Sequence, residues 1–320
     1  MSSETSPAVP QHIAAESYAF VMNVSSLAGA TSYALAPGCE IRRAKPDEIA
    51  IIKDTLKTIG PAPHSMNELR WETRLQPLGG LVERLPESEW RYFVIALEES
   101  DNTIGELQRA FDLAHLELEL GFTVLKLAGR HAGVTWNPPR LFHVLQNAQL
   151  GGPFFMDVSA DEIQEVKVIH AQLQDYNHDL VDVRGLASQF GELKALPHHS
   201  PLRFLGYFAI LESMLTHTPN PSDPYDSITR QVKKKLALLN RRFQRAIDYS
   251  PFGSATADTV WSRMYKYRSL VAHGGTPQFT GDLAVLGSPK TALALLKETV
   301  KAVLRQALSE PRLLADLKDC

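Results

Sequence analysis

An arginine and a histidine five positions apart, Arg268 and His273, stand at the end of a predicted helix that Gly274 and Gly275 close. A guanidinium binds phosphate through a planar fork of donors, and an imidazole exchanges protons near neutral pH. Together the two groups could cleave a phosphodiester in RNA without a metal ion. The pair is therefore the first candidate site in the chain.

The spacing of the pair limits what one helix can do with it. Five residues turn an α-helix by about 500° and advance it by about 7.5 Å, so the two side chains leave the axis some 140° apart. Because Gly274 lets the chain leave the helix, the backbone can bend the imidazole back toward Arg268. The alternative is that both residues have structural roles. Arg268 would then form an ion pair with a carboxylate such as Glu212, and His273 would interact favourably with the negative C-terminal end of the helix dipole.

A second pair, Arg109 and His115, lies six residues apart in the acidic half of the chain, and no glycine follows it. Six residues turn a helix by about 600°, which directs the two side chains to nearly opposite sides. We interpret these as two unrelated residues.

The composition is that of an ordinary globular protein. The 320 residues suggest two domains, and 44% of them are hydrophobic and 22% charged. Cys39 and Cys320 form neither a disulfide framework nor a zinc pattern, which favours a reducing, cytoplasmic environment. We see no signal peptide and no apolar run of the roughly 20 residues that a bilayer requires. We also predict no metal site and no cofactor.

Charge is distributed unevenly along the chain. Residues 180–320 contain 19 Lys plus Arg against 12 Asp plus Glu, a net charge of +7, whereas residues 1–179 contain 14 against 24, a net charge of -10. A basic C-terminal part fits a phosphate-rich partner. Evolutionary drift in the composition of two domains produces similar differences in net charge, and this stays open as an alternative.

The N-terminal part predicts a mixed α+β domain. Residues 1–15 are polar and lack periodicity, which predicts a disordered tail. In residues 16–179 we predict short strands over Ser17–Arg43, a helix over Asp47–Thr58, a buried strand over Arg91–Leu97, and a helix that a capping box opens at Ser159. Residues 123–127 and 133–136 stay ambiguous. The role of this domain is open among sensing, regulation and substrate selection.

From residue 180 to residue 320 the pattern changes to successive helices. Ser200-Pro201 and Ser288-Pro289 are helix starts, and residues 256–273 form the motif helix. This predicts an all-α bundle large enough for its own core.

A basic stripe precedes the motif helix. We predict one helix over residues 225–245, with Asn240 as a candidate break, and a net charge of +5 over residues 225–250. A stripe of this kind would grip a nucleic-acid backbone; a solvated helix face is the alternative. Its members are Arg230, Lys233, Lys234, Lys235, Arg241, Arg242 and Arg245.

Three segments of the C-terminal part resemble the HEPN superfamily, and within it the Apea-like branch. They are the apolar helix Tyr207–Leu215 with Glu212 inside it, the basic helix Ile228–Leu239, and Tyr265–Gly274 with its Arg-x4-His core. The likeness covers about a quarter of the chain strongly and the last 140 residues loosely.

The resemblance implies a metal-independent endoribonuclease that works as a homodimer, with two motif helices face to face. Arg268 would then bind the scissile phosphate and His273 would act as acid or base. Ser269 would orient either group, Glu212 would hold Arg268, and Tyr265 would stack on a base or pack in the core. Many members act against phage or as toxins that cut single-stranded or tRNA-like RNA.

Two other interpretations stay open. The chain could be a non-catalytic module that binds RNA or a partner, with Arg268 and His273 as dimer contacts. It could also be a toxin that a separate antitoxin silences, or an effector with a sensor partner, since one chain does not reveal its partners.

Overall fold

A computed structural model describes residues 15–58, 69, 72–75, 82–97, 103–127, 130–136, 141, 155–176, 180–197, 200–223 and 226–320. The predicted disordered tail lies outside the described residues except for Ala15. Among the described residues, a sheet-rich N-terminal region is followed by a helical C-terminal region, as the sequence predicts.

A six-stranded antiparallel sheet dominates the N-terminal region. Its strand order is β3-β4-β7-β1-β8-β9. These strands are β1 (Ala15–Val21), β3 (Ser32–Ala36), β4 (Cys39–Arg43), β7 (Phe93–Leu97), β8 (Leu120–Leu127) and β9 (Arg130–Trp136). Smaller ladders join β2 (Val24–Leu27) to β10 (Met156–Val158) and β5 (Thr73–Leu75) to β6 (Val82–Arg84). The two ambiguous segments, 123–127 and 133–136, are therefore strands of the β8–β9 hairpin.

The sheet is buried on both faces, as the alternating residues of β1 show. Ala19 and Val21 face the main core, whereas Tyr18 and Phe20 face a second cluster, as the two-residue period of a strand requires. Helix α1 (Pro46–Thr58) closes the second cluster with Ile52 and Leu56, as predicted. On the other face lie α2 (Thr103–Leu113) and α3 (Ala160–Asp175). The predicted capping box at Ser159 is present at the start of α3.

Among the residues that the structure describes, the C-terminal region contains six α-helices. They are α4 (Val183–Glu192), α5 (Pro201–Leu215), α6 (Ile228–Leu239), α7 (Ala257–Ala272), α8 (Pro289–Ser309) and α9 (Pro311–Asp319). Short 3-10 turns occupy Glu87–Glu89, Leu193–Ala195, Ser250–Phe252 and Gly281–Leu286. Helix α8 is the central one, since most of its residues from Leu295 to Leu308 are buried.

One prediction of helix length was wrong. The basic helix ends at Leu239, so residues 240–249 are turns and not the second half of a helix over 225–245. Asn240 is the break: its backbone N–H caps α6 on the carbonyl of Leu236 at 2.8 Å, and its Oδ1 accepts from the Ile247 N–H at 2.7 Å. A side chain that bonds the following loop competes with helix continuation.

The two regions share one core and one buried ionic cluster. The main core contains Phe111 of α2, Phe190 of α4 and Val300 of α8. Lys194 and Lys301, each only 1% exposed, bind carboxylates of the N-terminal region. The proposed boundary near residue 179 therefore marks a change of composition inside a shared core, and the division into two domains stays a prediction.

Glu117 is the centre of that ionic cluster. Its carboxylate lies 2.6 Å from Lys297, 2.7 Å from Lys301 and 3.3 Å from Lys194. Three lysines of the C-terminal region thus surround one carboxylate of the N-terminal region. Part of the difference in net charge between the N-terminal and C-terminal regions is therefore used in contacts within the chain.

Within the described residues, every helix is too short or too polar to cross a bilayer. The same part of the chain has no group of three or more His, Cys, Asp or Glu side chains placed to hold a metal ion.

Candidate active site at the end of the motif helix

Helix α7 is held by its aromatic face. Thr256 caps it by accepting from the Thr259 N–H at 3.2 Å. Its buried side chains Val260, Met264 and Tyr267 recur every four and three residues, which is helical spacing. The rings of Trp261 and Tyr267 pack against Phe208 and Phe204 of α5. The rings of Tyr267 and Phe204 are 4.2 Å apart between centroids. Because this face is fixed in the core, the opposite face of α7 and its last turn are presented outward.

The last turn of α7 is closed by Gly274. Its φ of +72° lies in the left-handed region that glycine adopts without strain. The Gly275 N–H bonds the carbonyl of Leu270 at 2.8 Å and the Gly274 N–H bonds that of Val271 at 3.0 Å. This is the Schellman pattern. It leaves His273 as the C-cap residue, exposed to solvent.

Arg268 is held by Glu212, a contact that both the structural alternative and the family resemblance include. Nη2 of Arg268 is 3.1 Å from Oε2 of Glu212 on α5. The Glu212 side chain is 15% exposed and the Arg268 side chain 38%. A guanidinium has five donors, and this contact uses one end of it. The exposed part of the fork stays open toward solvent.

Three polar atoms around this ion pair have no hydrogen-bond partner among the described residues. They are Nε of Arg268, Oε1 of Glu212 and the hydroxyl of Tyr265. Burial first, and the neighbouring Glu212 carboxylate second, raise the pKa of Tyr265. Tyr265 therefore stays a neutral hydroxyl at physiological pH. Its ring packs edge-on against Phe208, with 5.1 Å between centroids, which favours core packing over base stacking.

A cleft of about 600 Å³ opens beside Arg268. Arg268, Ser269 and Lys266 line one side of it, and the first residues of α6 line the other. Ser227 caps α6 by accepting from the Arg230 N–H at 3.4 Å. The N-terminus of a helix carries partial positive charge, which favours an anion. The guanidinium of Arg268 and the N-terminus of α6 therefore offer positive charge to the same cleft.

His273 is not among the residues that line this cleft. Within one chain, then, the structure brings Arg268, Ser269, Glu212 and Tyr265 together and leaves the imidazole outside, on the exposed end of α7. Convergence of Arg268 and His273 on one phosphate stays a prediction.

The first turn of α6 is the part of the site that sequence reasoning missed. The basic helix was expected to begin at residue 225, which hid Ser227 inside it. A serine directly before an apolar-periodic segment is a typical N-cap signal, and it marks where α6 begins.

Four of the seven predicted RNA-binding residues line a second groove, of about 560 Å³, beside α6. They are Arg230, Lys233, Lys234 and Arg241. The groove also contains Asp258, whose carboxylate lies 2.6 Å from Nζ of Lys233. Lys234 and Arg241 are exposed.

The other three members of the stripe lie elsewhere. Lys235 is 5% exposed and its Nζ donates to the Lys318 carbonyl at 3.3 Å, so it does not belong to an exposed face; burial lowers its pKa. Arg242 binds Glu310 at 2.9 Å, and Arg245 is exposed. Because the helix ends at Leu239, Arg241, Arg242 and Arg245 do not continue its basic face.

Comparison of the chain with models of known protein families, with curated proteins and with solved structures found no match.

Proposed function

We propose that the protein is an endoribonuclease of the HEPN type, with Arg268 and His273 as its catalytic pair. One observation supports this most directly. The motif helix ends in a Schellman turn that exposes His273, five residues after a guanidinium held by Glu212 beside an open cleft. Metal-free cleavage of a phosphodiester needs a proton-transfer group and an anion-binding group that reach the same phosphate.

In the proposed reaction, the 2′-hydroxyl of RNA attacks the adjacent phosphorus and the bond to the 5′ oxygen breaks. Arg268 and the N-terminus of α6 stabilise the charge on the phosphate oxygens. His273 accepts the proton of the 2′-hydroxyl or donates one to the leaving oxygen. The products are a 2′,3′-cyclic phosphate and a 5′-hydroxyl. Glu212 positions Arg268, and Ser269 is close enough to the cleft to contact the same phosphate.

The groove beside α6 is the proposed path of the RNA backbone. Arg230, Lys234 and Arg241 would contact phosphates there, while Lys233 is already paired with Asp258. Phosphate contacts of this kind supply affinity for RNA that falls as the salt concentration rises, and they contribute little sequence specificity.

We propose a homodimer through the motif helices. The supporting observation is Leu270, an apolar residue 36% exposed between Arg268 and His273. In a dimer with the two α7 ends facing each other, His273 of one protomer can approach the cleft of its partner. That arrangement would supply the imidazole that the cleft of a single chain lacks.

The test uses purified protein with single-stranded RNA and with DNA of the same sequence, both in EDTA. We expect cutting of the RNA alone, because DNA lacks the attacking hydroxyl. Analysis of the RNA ends by mass spectrometry should find cyclic phosphates. Equal cutting of the DNA would contradict the proposed chemistry.

A second candidate function is a non-catalytic module that binds RNA or a protein partner. The observation in its favour is the position of His273 outside the Arg268 cleft. Binding of RNA without cutting would identify this case. Roles in phage defence or as a toxin with a separate antitoxin rest on the resemblance alone and belong to the same proposal.

A further inference from the structure

The exposed face of α7 carries His273 together with a cation other than Arg268. Lys266, Ser269, Leu270 and His273 are all exposed, and their intervals of three, four and seven residues place them on one side of a helix. Seven residues turn a helix by about 700°, nearly two full turns, and advance it by about 10.5 Å. Within one chain, Lys266 therefore shares a face with His273, as Arg268 does not.

Lys266 also belongs to the Arg268 cleft. It lines the cleft next to Arg268 and Ser269. Lys266 is thus common to the cleft that contains the guanidinium and to the face that carries the imidazole. A nucleic-acid strand that enters the cleft and leaves past His273 would pass the ammonium group of Lys266.

An aspartate of the same chain holds this lysine. Nζ of Lys266 donates a hydrogen bond to Oδ2 of Asp282. Nη1 of Arg263, which lies one turn earlier on α7, is 3.5 Å from Oδ1 of the same carboxylate. The hydrogen bond from Lys266 first, and the charge of Arg263 second, lower the pKa of Asp282, so this carboxylate is charged at neutral pH. One carboxylate therefore occupies two cations of α7.

A packed segment presents Asp282 to α7. Asp282 lies in the 3-10 turn Gly281–Leu286, where its neighbour Leu283 is buried. The ring of Phe279, just before the turn, packs edge-on against Tyr267 of α7 with 5.1 Å between centroids. The backbone that carries the carboxylate is therefore anchored against the motif helix.

We propose that Lys266 is a phosphate-binding residue of the nuclease site and that Asp282 competes with RNA for it. This role of Lys266 rests on the proposed function, since it concerns the same cleft. The side chains of Lys266 and Asp282 are 45% and 55% exposed, and ion pairs between exposed groups are weak. A phosphate of an RNA strand can therefore replace the Asp282 carboxylate at Lys266. Asp282 thereby limits the affinity of the site for RNA.

The experiment measures binding of a fluorescent single-stranded 2′-O-methyl RNA, which lacks the attacking hydroxyl and is not cut by the proposed chemistry. Asp282→Asn should bind it about threefold or more tightly at low salt, because Lys266 no longer has an internal partner. The slope of log K against log salt concentration should become steeper by about 0.7 for each additional phosphate contact. Lys266→Met should weaken binding, and it should cancel the gain from Asp282→Asn in the double variant.

Asp54→Asn is the matched control. Asp54 is an exposed aspartate that lies 3.5 Å from Lys57 on α1, outside the cleft. Its substitution makes the same change in net charge and should leave RNA binding unchanged. The urea midpoint of Asp282→Asn should stay close to that of the wild type, since Asp282 is exposed. Three results would overturn the proposal: no binding or unchanged affinity in Asp282→Asn, an equal gain from Asp54→Asn, or a gain from Asp282→Asn that persists in full without Lys266.

Binding and cleavage give separate answers. Binding of the 2′-O-methyl strand that responds to Asp282→Asn and Lys266→Met as expected would support the competition even if unmodified RNA is not cut. Cleavage of unmodified RNA, with binding that ignores both substitutions, would remove the roles of Lys266 and Asp282 and leave that of His273 intact.

Discussion

The guanidinium of Arg268 on α7 is anchored by the carboxylate of Glu212 on α5, with 3.1 Å between Nη2 and Oε2. The contact joins the two helices 56 residues apart in sequence and fixes the arginine against the cleft. In the proposed nuclease it makes Glu212 a positioning residue and leaves the exposed donors of Arg268 for phosphate.

Replacing only one residue of this ion pair should destabilise the protein more than replacing both residues together. Arg268→Gln leaves the mostly buried Glu212 charge without its partner, which we expect to lower the free energy of unfolding by about 1 to 3 kcal/mol. The double variant Arg268→Gln with Glu212→Gln removes both charges and should be closer to the wild type. Urea unfolding measures all four proteins of the cycle. A double variant as unstable as the sum of the two single variants would show that the pair is not coupled.

Gly274 should be required for the end of α7. Gly274→Ala forces a side chain into a φ of +72° and should destabilise the protein by about 1 kcal/mol. Gly105→Ala is the control, and we expect it to change stability in the opposite direction. Gly105 lies in helix α2 with open space where a Cβ would stand, so the substitution should stabilise the protein by about 0.5 to 1 kcal/mol. Urea midpoints compare the two. Equal effects would contradict the Schellman turn at Gly274.

Leu270 should contribute to self-association. Leu270→Asp places a charge in the proposed contact between two α7 ends and should convert a dimer to a monomer in light scattering. Leu202→Asp changes another exposed leucine, 61% exposed at the start of α5, and should leave the dimer intact. A wild-type protein that is monomeric at working concentration would contradict the shared site.

Acid should unfold the protein partly through Glu117. Burial would raise the pKa of Glu117, but the charges of Lys194, Lys297 and Lys301 outweigh it and hold the pKa well below its ordinary value. A carboxylate with a lowered pKa in the folded state stabilises the fold above its unfolded pKa of about 4.3 and loses that contribution as pH falls below it. We therefore expect stability to fall with pH below about 4.5.

Glu117→Gln isolates that contribution. At pH 7 it removes the carboxylate nearest to Lys297 and Lys301 and should cost about 3 kcal/mol or more, and the cost should shrink as the pH falls below 4. Glu298→Gln removes a carboxylate that is 51% exposed and 3.8 Å from Lys301, and should cost less than about 1 kcal/mol. Urea unfolding at pH 7, 5 and 3.5 makes the comparison. Equal losses from both variants would contradict the central role of Glu117.

Local sequence signals predicted much of the fold. The helix starts at Ser159 and Pro201 and the end of α7 at Gly274 all depend on a few adjacent residues. The β8–β9 hairpin stayed ambiguous because residues 120–127 form a nearly continuous apolar run, which does not distinguish a strand buried on both faces from a helix.

The contacts that position the site depend on distant partners and are harder to predict. Glu117 meets Lys194, Lys297 and Lys301 only after the two regions pack, and no local pattern encodes that meeting. Lys235 was assigned to an exposed stripe because its charge suggested solvent, yet its stem is covered and only its Nζ reaches a carbonyl. A long side chain can bury its carbons while its charge finds a polar partner.

The central claim is that His273 performs chemistry on RNA. The most direct measurement is the rate of RNA cleavage by the wild type, by His273→Ala and by His131→Ala, a matched change at an exposed histidine on β9. Since His273 is exposed at the C-cap, its substitution should leave the unfolding midpoint nearly unchanged. We predict loss of cleavage by at least a hundredfold in His273→Ala alone. Cleavage by His273→Ala at the wild-type rate, or no cleavage by the wild type, would contradict the claim.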